Sequence, residues 1–150
     1  MTFLGRTVLA LVISAPMAAP LLAEDKKPEP TNPVVIERME TMKAIGGGMK
    51  ALADMAKGEA PFDSAKADAS VAVIAEKAVL VPAKFEVNEP DPATEALPKI
   101  WDNYDDFIKK SEDMAAAATS VGPIGDQAAL GAAVGKIGGT CKACHRDYRE

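Results

Sequence analysis

The sequence predicts an all-α fold, an antiparallel four-helix bundle, and three observations lead to this prediction. Four segments repeat apolar residues at the spacing of a helix face, whereas no segment shows the alternation of a strand. Most connections between these segments are short and contain Pro or Gly. The apolar positions also follow a rhythm of about seven residues, which is typical of helices that pack side by side.

Residues 1–23 are expected to form a signal peptide. Arg6 precedes an apolar run that ends in small residues, and Ala23 is a suitable cleavage site. The run is short for a spanning helix and contains Pro16 and Pro20, which argues against the alternative of a membrane anchor. We therefore expect export to the periplasm of a Gram-negative bacterium, with no membrane insertion after cleavage.

The chain that remains after cleavage is acidic. Residues 24–150 hold 16 Lys and Arg against 22 Asp and Glu, a balance of −6, which argues against nucleic acid as a partner. Residues 24–33 are charged and rich in proline, so we expect a flexible lead-in there. Residues 34–150 are then the helical bundle, and their number is enough for one domain with one core.

The first helix is expected to run from about Pro33 to about Lys57, with Thr31 or Asn32 as its cap. Three consecutive glycines, Gly46–Gly48, interrupt it, although each glycine costs a helix interior about 0.8–1 kcal/mol relative to alanine. They are therefore expected to serve close packing or a local distortion. The expected inward face combines small residues with methionines: Val35, Met39, Met42, Gly46, Met49, Ala53 and Ala56.

The other three helices are expected at about 64–80, at about 98–119, and from about 126 almost to the C-terminus. One long connection with several prolines, residues 81–98, joins the second helix to the third. The expected inward faces are Ala67, Val71, Ile74 and Ala78 in the second helix; Ile100, Tyr104, Phe107, Ser111, Met114 and Ala118 in the third; and Leu130, Val134, Ile137, Cys141, Cys144 and Tyr148 in the fourth.

These inward faces are rich in Ala, Gly and Met and have few large aliphatic or aromatic side chains. Protein interiors are packed as densely as organic crystals, so helices with such small side chains would leave a void between them. A large non-protein group that is buried in the bundle would fill this void.

The C-terminal segment contains Cys141-Lys-Ala-Cys144-His145, and C-x-x-C-H is the attachment motif of haem c. Cysteines three residues apart on a helix present both sulfurs on one face, where each can form a thioether with a haem vinyl group. The adjacent histidine, the single histidine of the chain, then projects its imidazole to the iron.

Three alternatives for these cysteines are a disulfide, a thiol redox site and a zinc site. The redox site would require a βαβ pattern around the motif, which the sequence lacks. A zinc site would require further Cys or His ligands, and the chain has none beyond Cys141, Cys144 and His145. Covalent haem c with its iron is therefore the expected cofactor.

The whole mature chain resembles the class II cytochromes c, which comprise the high-spin cytochromes c′ and low-spin relatives such as cytochrome c-556. The resemblance rests on the C-terminal CKACHRDYR, the pair Arg38-x-x-x-Met42, the KGEAPFD turn and the PKIW start of the third helix. It implies that Arg38 contacts a haem propionate. It also implies that Arg149, four residues after His145, lies on the proximal side of the haem.

The resemblance also bears on the sixth ligand of the iron. Counting back from the KGEAPFD turn places Met42 at the position that is methionine in low-spin members and often leucine in cytochromes c′. Lys43 and Gly46 also match the low-spin pattern. We therefore expect Met42 to ligate the iron and Gly46 to give clearance for the haem. Met39, one turn earlier, is the next candidate, and simple packing of Met42 is the alternative.

The expected function is electron transfer rather than catalysis. Ligation by His and Met raises the reduction potential and closes the iron to gases. The alternative is a five-coordinate cytochrome c′ that binds small gases such as NO or CO. The acidic pairs at 105–106 and 112–113 are interpreted as solvated helix faces. The expected partners are redox proteins, and a homodimer is left open.

Overall fold

The computed structural model describes residues 28–150, and the predicted signal peptide lies outside the described residues. The described chain forms a bundle of four long helices with two short helices between them. Their bounds are α1 Pro33–Lys57, α2 Ser64–Ala78, α3 Val81–Lys84, α4 Lys99–Asp102, α5 Tyr104–Thr119 and α6 Gln127–Tyr148. Within residues 28–150, extended pairing is limited to one antiparallel bridge between Ala96 and Arg149.

The four long helices contact one another in a closed ring, in which α1 packs on α2, α2 on α5, α5 on α6, and α6 on α1. The predicted four-helix bundle is thus confirmed. Its core is formed by apolar side chains from all four helices, together with Val81, Phe85, Ile100 and Ile124 from the segments between them. In the part of the chain that the structure describes, no helix is both long and apolar enough to cross a membrane.

The ends of α1 are fixed by the residues that predicted them. The Asn32 side chain accepts a hydrogen bond from the Val34 N–H, and Pro33 occupies the first turn, where its missing N–H is harmless. Gly58 ends the helix with φ 77°, a left-handed conformation that glycine adopts without strain.

A buried carboxylate fixes the approach to α1. Asp91 accepts hydrogen bonds from the N–H groups of Asn32 (2.9 Å), Ala93 (2.8 Å) and Thr31 (2.8 Å). These bonds stabilise the charged carboxylate and hold the pKa of Asp91 below its usual range. The end of the expected lead-in is therefore tied to the connection that precedes α4.

Two predicted helices differ from the structure. The second ends at Ala78 rather than near Leu80, and α3 forms inside the predicted long connection. Pro82 explains this, because it has no N–H to donate to the Ala78 carbonyl that would continue α2. The third predicted helix is broken at Asn103, whose φ −132° and ψ 47° separate α4 from α5.

The predicted inward face of α1 is rotated from the face that is buried. Met39 is 41% exposed and Gly46 is exposed, whereas Met42 and Met49 are half-buried. The buried residues of α1 are Val35, Arg38, Thr41, Ile45, Gly48, Leu52 and Met55. The predicted stripe of α2 is confirmed at all its positions, since its residues are Ala67, Val71, Ile74 and Ala78 and all of them are buried.

Gly48 explains part of the glycine run. A Cβ atom at this position would lie 2.9 Å from Ile74 Cγ1 and 3.0 Å from the Ser70 carbonyl oxygen, both on α2. Glycine thus lets α1 and α2 approach closely. A Cβ at Gly46 or Gly47 would meet no atom of the described residues within 4 Å.

Candidate haem site

A cavity of about 550 Å³ lies between α1, α5 and α6, where residues 93–96 complete its wall. Cys141, Cys144 and His145 all line it. The methionines of the lining are Met39, Met42, Met49 and Met114. The cavity corresponds to the void that the small side chains of the inward faces predict.

The wall that α6 contributes carries the whole C-x-x-C-H motif. Cys141 and Cys144 are free, half-buried thiols, and Cys141 Sγ lies 3.9 Å from Met114 Sδ. Burial raises the pKa of Cys141 and raises that of Cys144 to about 11. Both thiols are therefore protonated near neutral pH, which is unlike the acidic cysteine of a thiol redox site.

The environment of His145 favours the neutral imidazole that a metal ligand requires. Its side chain is partly exposed, yet desolvation lowers the pKa of the imidazole, and the positive charge of Arg149 lowers it further. A neutral imidazole keeps a nitrogen lone pair available for a metal ion. The last turn of α6 thus brings two thiols and a donor nitrogen to one cavity.

The wall that α1 contributes carries both candidate sulfur ligands. Met39, Met42, Gly46 and Met49 follow one another at steps of three and four residues, and all of them line the cavity. The stripe that sequence periodicity placed on the inward face of α1 therefore lines the cavity. Met42 is the more sheltered of the two candidates, since Met39 is 41% exposed.

Arg38 is the most deeply buried charged residue of the lining, with 2% of its surface exposed. Its Nε donates to the Lys84 carbonyl (2.8 Å), and its Nη2 donates to the Val87 carbonyl. The guanidinium carbon lies 5.2 Å from the ring centroids of both Phe85 and Trp101. Such stacking on aromatic faces is favourable for a guanidinium.

One nitrogen of this buried group lacks a partner. Among the described residues, no atom accepts a hydrogen bond from Arg38 Nη1. A buried donor that is left unsatisfied costs about 1–3 kcal/mol, and more on a charged group. A carboxylate in the cavity, such as a haem propionate, would satisfy it.

Sequence reasoning also missed the contacts that residues 148–150 make with residues 95–97. Arg149 Nε donates to Glu95 Oε2 (2.6 Å), and both residues line the cavity. The Leu97 N–H donates to the Tyr148 carbonyl (3.0 Å), and the Glu150 N–H donates to the Glu95 carbonyl (3.0 Å). These contacts clamp the last turn of α6. No local pattern in the sequence pairs positions so far apart.

The residues of the cavity fit a haem. The lining offers two thiols that could react with vinyl groups, an imidazole and methionine thioethers that could bind iron, and apolar walls that suit a macrocycle. Among the described residues of the lining, the charged side chains are Arg38, Lys43, Lys110, Arg149 and Glu95. This positive balance within an acidic chain suits the two carboxylates of a haem.

A four-helix bundle whose last helix presents C-x-x-C-H to an apolar cavity defines a class of c-type haem protein. The family model described as Cytochrome C′ matches residues 33–149, and the chain belongs to this family. It is accordingly a monohaem c-type cytochrome, and its cofactor is haem c with iron.

Both branches of the family are represented among its relatives. The chain is 42% identical over 114 residues to cytochrome c-556 of Agrobacterium tumefaciens, covering 75% of this chain and 90% of that protein. The structure of cytochrome c′ from Rhodopseudomonas palustris superposes with a TM-score of 0.71 at 38% identity, covering 80% of this chain and 98% of that one.

A third similar structure is that of a nitric oxide complex. The protein in it is a leucine-to-isoleucine mutant of cytochrome c′ from Alcaligenes xylosoxidans. Its structure superposes with a TM-score of 0.65 at 29% identity, covering 78% of this chain and 94% of that one.

Proposed function

We propose that this chain is a periplasmic electron carrier and not an enzyme, with a low-spin haem c that is ligated by histidine and methionine. The observation that carries the proposal is that the C-x-x-C-H motif of α6 and the methionine stripe of α1 line the same cavity. When bound, haem c supplies a one-electron Fe(III)/Fe(II) couple. The residues of the chain attach it, ligate it and exclude water from it. The periplasmic location rests on the signal peptide expected at residues 1–23.

Attachment is assigned to Cys141 and Cys144 through thioethers, with His145 as the fifth ligand. Their common exposure to the cavity and the neutral state of the imidazole support this assignment. The pyridine haemochrome assay after acid–acetone extraction tests it. One haem should stay on each wild-type chain, whereas the Cys141→Ala/Cys144→Ala chain should release all of it. Extractable haem in the wild-type protein would contradict covalent attachment.

The sixth ligand is assigned to Met42, and Met39 is the competing sulfur. The greater shelter of Met42 supports this choice, because an iron–thioether bond is preserved best where water is excluded. Gly46, one turn after Met42, is assigned to clearance for the haem, since a side chain at this position would extend into the cavity. Arg38 is assigned to a propionate because of its unpartnered Nη1, and Arg149 is assigned to the proximal side because it lies beside His145.

The second candidate function is gas binding at a five-coordinate haem, which the nitric oxide complex of a relative favours. Carbon monoxide separates the two functions. A ferrous protein with a methionine ligand should bind it poorly, and its ferric spectrum should be low-spin. Ready binding of carbon monoxide together with a high-spin ferric spectrum would establish the gas-binding function instead. We propose redox proteins as the partners of this chain.

A further inference from the structure

Residues 82–87, which we name the strap, cross one side of the bundle next to the cavity. Side chains from three other helices hold the strap by its carbonyl oxygens. The Tyr104 hydroxyl donates to the Pro82 carbonyl (2.7 Å), and Trp101 Nε1 donates to the Phe85 carbonyl (2.8 Å). Arg38 holds the carbonyls of Lys84 and Val87. These donors come from α5, α4 and α1 respectively.

Arg38 is the member of this set that reaches both the strap and the cavity. Two of its nitrogens hold the strap, while Nη1 has no partner among the described residues. The ring of Phe85, a strap residue that lines the cavity, stacks on the same guanidinium. Trp101 stacks on it too but does not line the cavity.

We infer that Arg38 is a positioning residue that couples a carboxylate of the cofactor to the strap, so that the bound carboxylate holds the strap closed. This inference rests on the proposed function. It goes beyond a propionate contact, because it makes the strap and the carboxylate energetically dependent on each other.

The physical reason is the rigidity of the guanidinium. Its nitrogens lie in one plane, so a carboxylate that binds Nη1 also fixes the orientation of Nε and Nη2. The carboxylate also neutralises a buried positive charge that otherwise favours opening of the strap to water. By linkage, whatever loosens the strap must in turn weaken the hydrogen bond to the carboxylate.

The experiment uses the holoprotein and two readouts. Hydrogen exchange of the strap amides, including those of Lys84 and Phe85, reports on closure of the strap. The propionate-bending band in the resonance Raman spectrum reports on the hydrogen bond to the carboxylate. Trp101→Phe removes the Nε1 donor to the strap but keeps an aromatic ring beside Arg38. Because it leaves Arg38 in place, the test does not depend on whether Arg38→Gln folds.

Ser64→Ala is the matched control, since it removes another partly buried hydrogen bond from a side chain to a backbone carbonyl (Ser64 Oγ to Ile124, 2.6 Å), away from the strap. Arg38→Gln should accelerate strap exchange at least about tenfold, in line with a lost hydrogen bond to a charged group, and should shift the propionate band. Trp101→Phe should accelerate strap exchange and shift the band in the same direction. The control should change neither.

Two results would overturn the inference while leaving the proposed function intact. One is faster strap exchange in Trp101→Phe with an unchanged propionate band, which would mean that Arg38 holds the strap without coupling. The other is a shifted band in Arg38→Gln with unchanged strap exchange. Absence of covalent haem from the wild-type protein would instead refute the proposed function itself.

Discussion

Helix α1 has two faces that differ in what they contact. One face packs directly on protein and includes Gly48 and Leu52. The other face, with Met42, Gly46 and Met49, lines the cavity. Both faces recur at helical spacing, so periodicity alone cannot distinguish a protein core from a cofactor wall. The residue types distinguish them. Close contact with α2 requires glycine at position 48, whereas the cavity face carries Met39, Met42 and Met49.

The largest expected effect is on the face that packs on protein. Leu52 is fully buried, so Leu52→Ala should lower the free energy of unfolding by about 2–5 kcal/mol. Met49→Ala on the cavity face should cost clearly less, because Met49 is only half-buried. Urea unfolding of the holoprotein measures both. Equal losses would mean that the two faces do not differ as described.

Replacing glycines of α1 by alanine should change the stability by less, and the sign of the change should depend on the position. Gly48→Ala should destabilise the fold, because its Cβ would press on the Ser70 carbonyl, and overpacking costs about 1–3 kcal/mol. Gly47→Ala should stabilise it by about 0.8–1 kcal/mol, since its Cβ meets no described atom within 4 Å. Thermal unfolding of the two variants is the measurement. A stabilising Gly48→Ala would refute the close approach of α1 and α2.

The smallest expected effect is a pH-dependent loss of stability when Asp91, which binds the N-terminal end of α1, is replaced. The folded pKa of Asp91 lies below its unfolded value of about 3.9. Its stabilising contribution is therefore complete above that value and is lost as the pH falls through the folded pKa. Asp91→Ala should destabilise the protein at pH 7, and the difference from wild type should narrow in acid.

Urea unfolding as a function of pH measures this difference, and Glu112→Ala, at an exposed position of α5, is its control. A difference between wild type and Asp91→Ala that stays constant from pH 7 into the acid range would contradict the role of the ionised carboxylate.

Local signals predicted most of the framework correctly. Asn32 and Pro33 mark the start of α1, and the C-x-x-C-H motif indicated the cofactor. The small side chains of the inward faces predicted the cavity. All of these signals act between neighbours in the chain or through composition, so one sequence is enough to read them.

What sequence reasoning missed depends on contacts between distant residues. Arg38 is buried because carbonyl oxygens 46 and 49 residues away accept its hydrogen bonds. A periodicity argument treats such a residue as polar, and so it placed only the apolar methionine stripe, and not Arg38, on the inward face of α1. The contact of Glu95 with Arg149 spans 54 residues and likewise has no local signal. The break at Asn103 was missed because asparagine also occurs within helices.

The ferric absorption spectra of Met42→Ala and Met39→Ala test the central claim most directly, since they compare two methionines of the same cavity wall. Wild type and Met39→Ala should be low-spin, whereas Met42→Ala should be high-spin and, once reduced, should bind carbon monoxide. A high-spin wild-type spectrum, or a low-spin Met42→Ala beside a high-spin Met39→Ala, would contradict ligation of the iron by Met42.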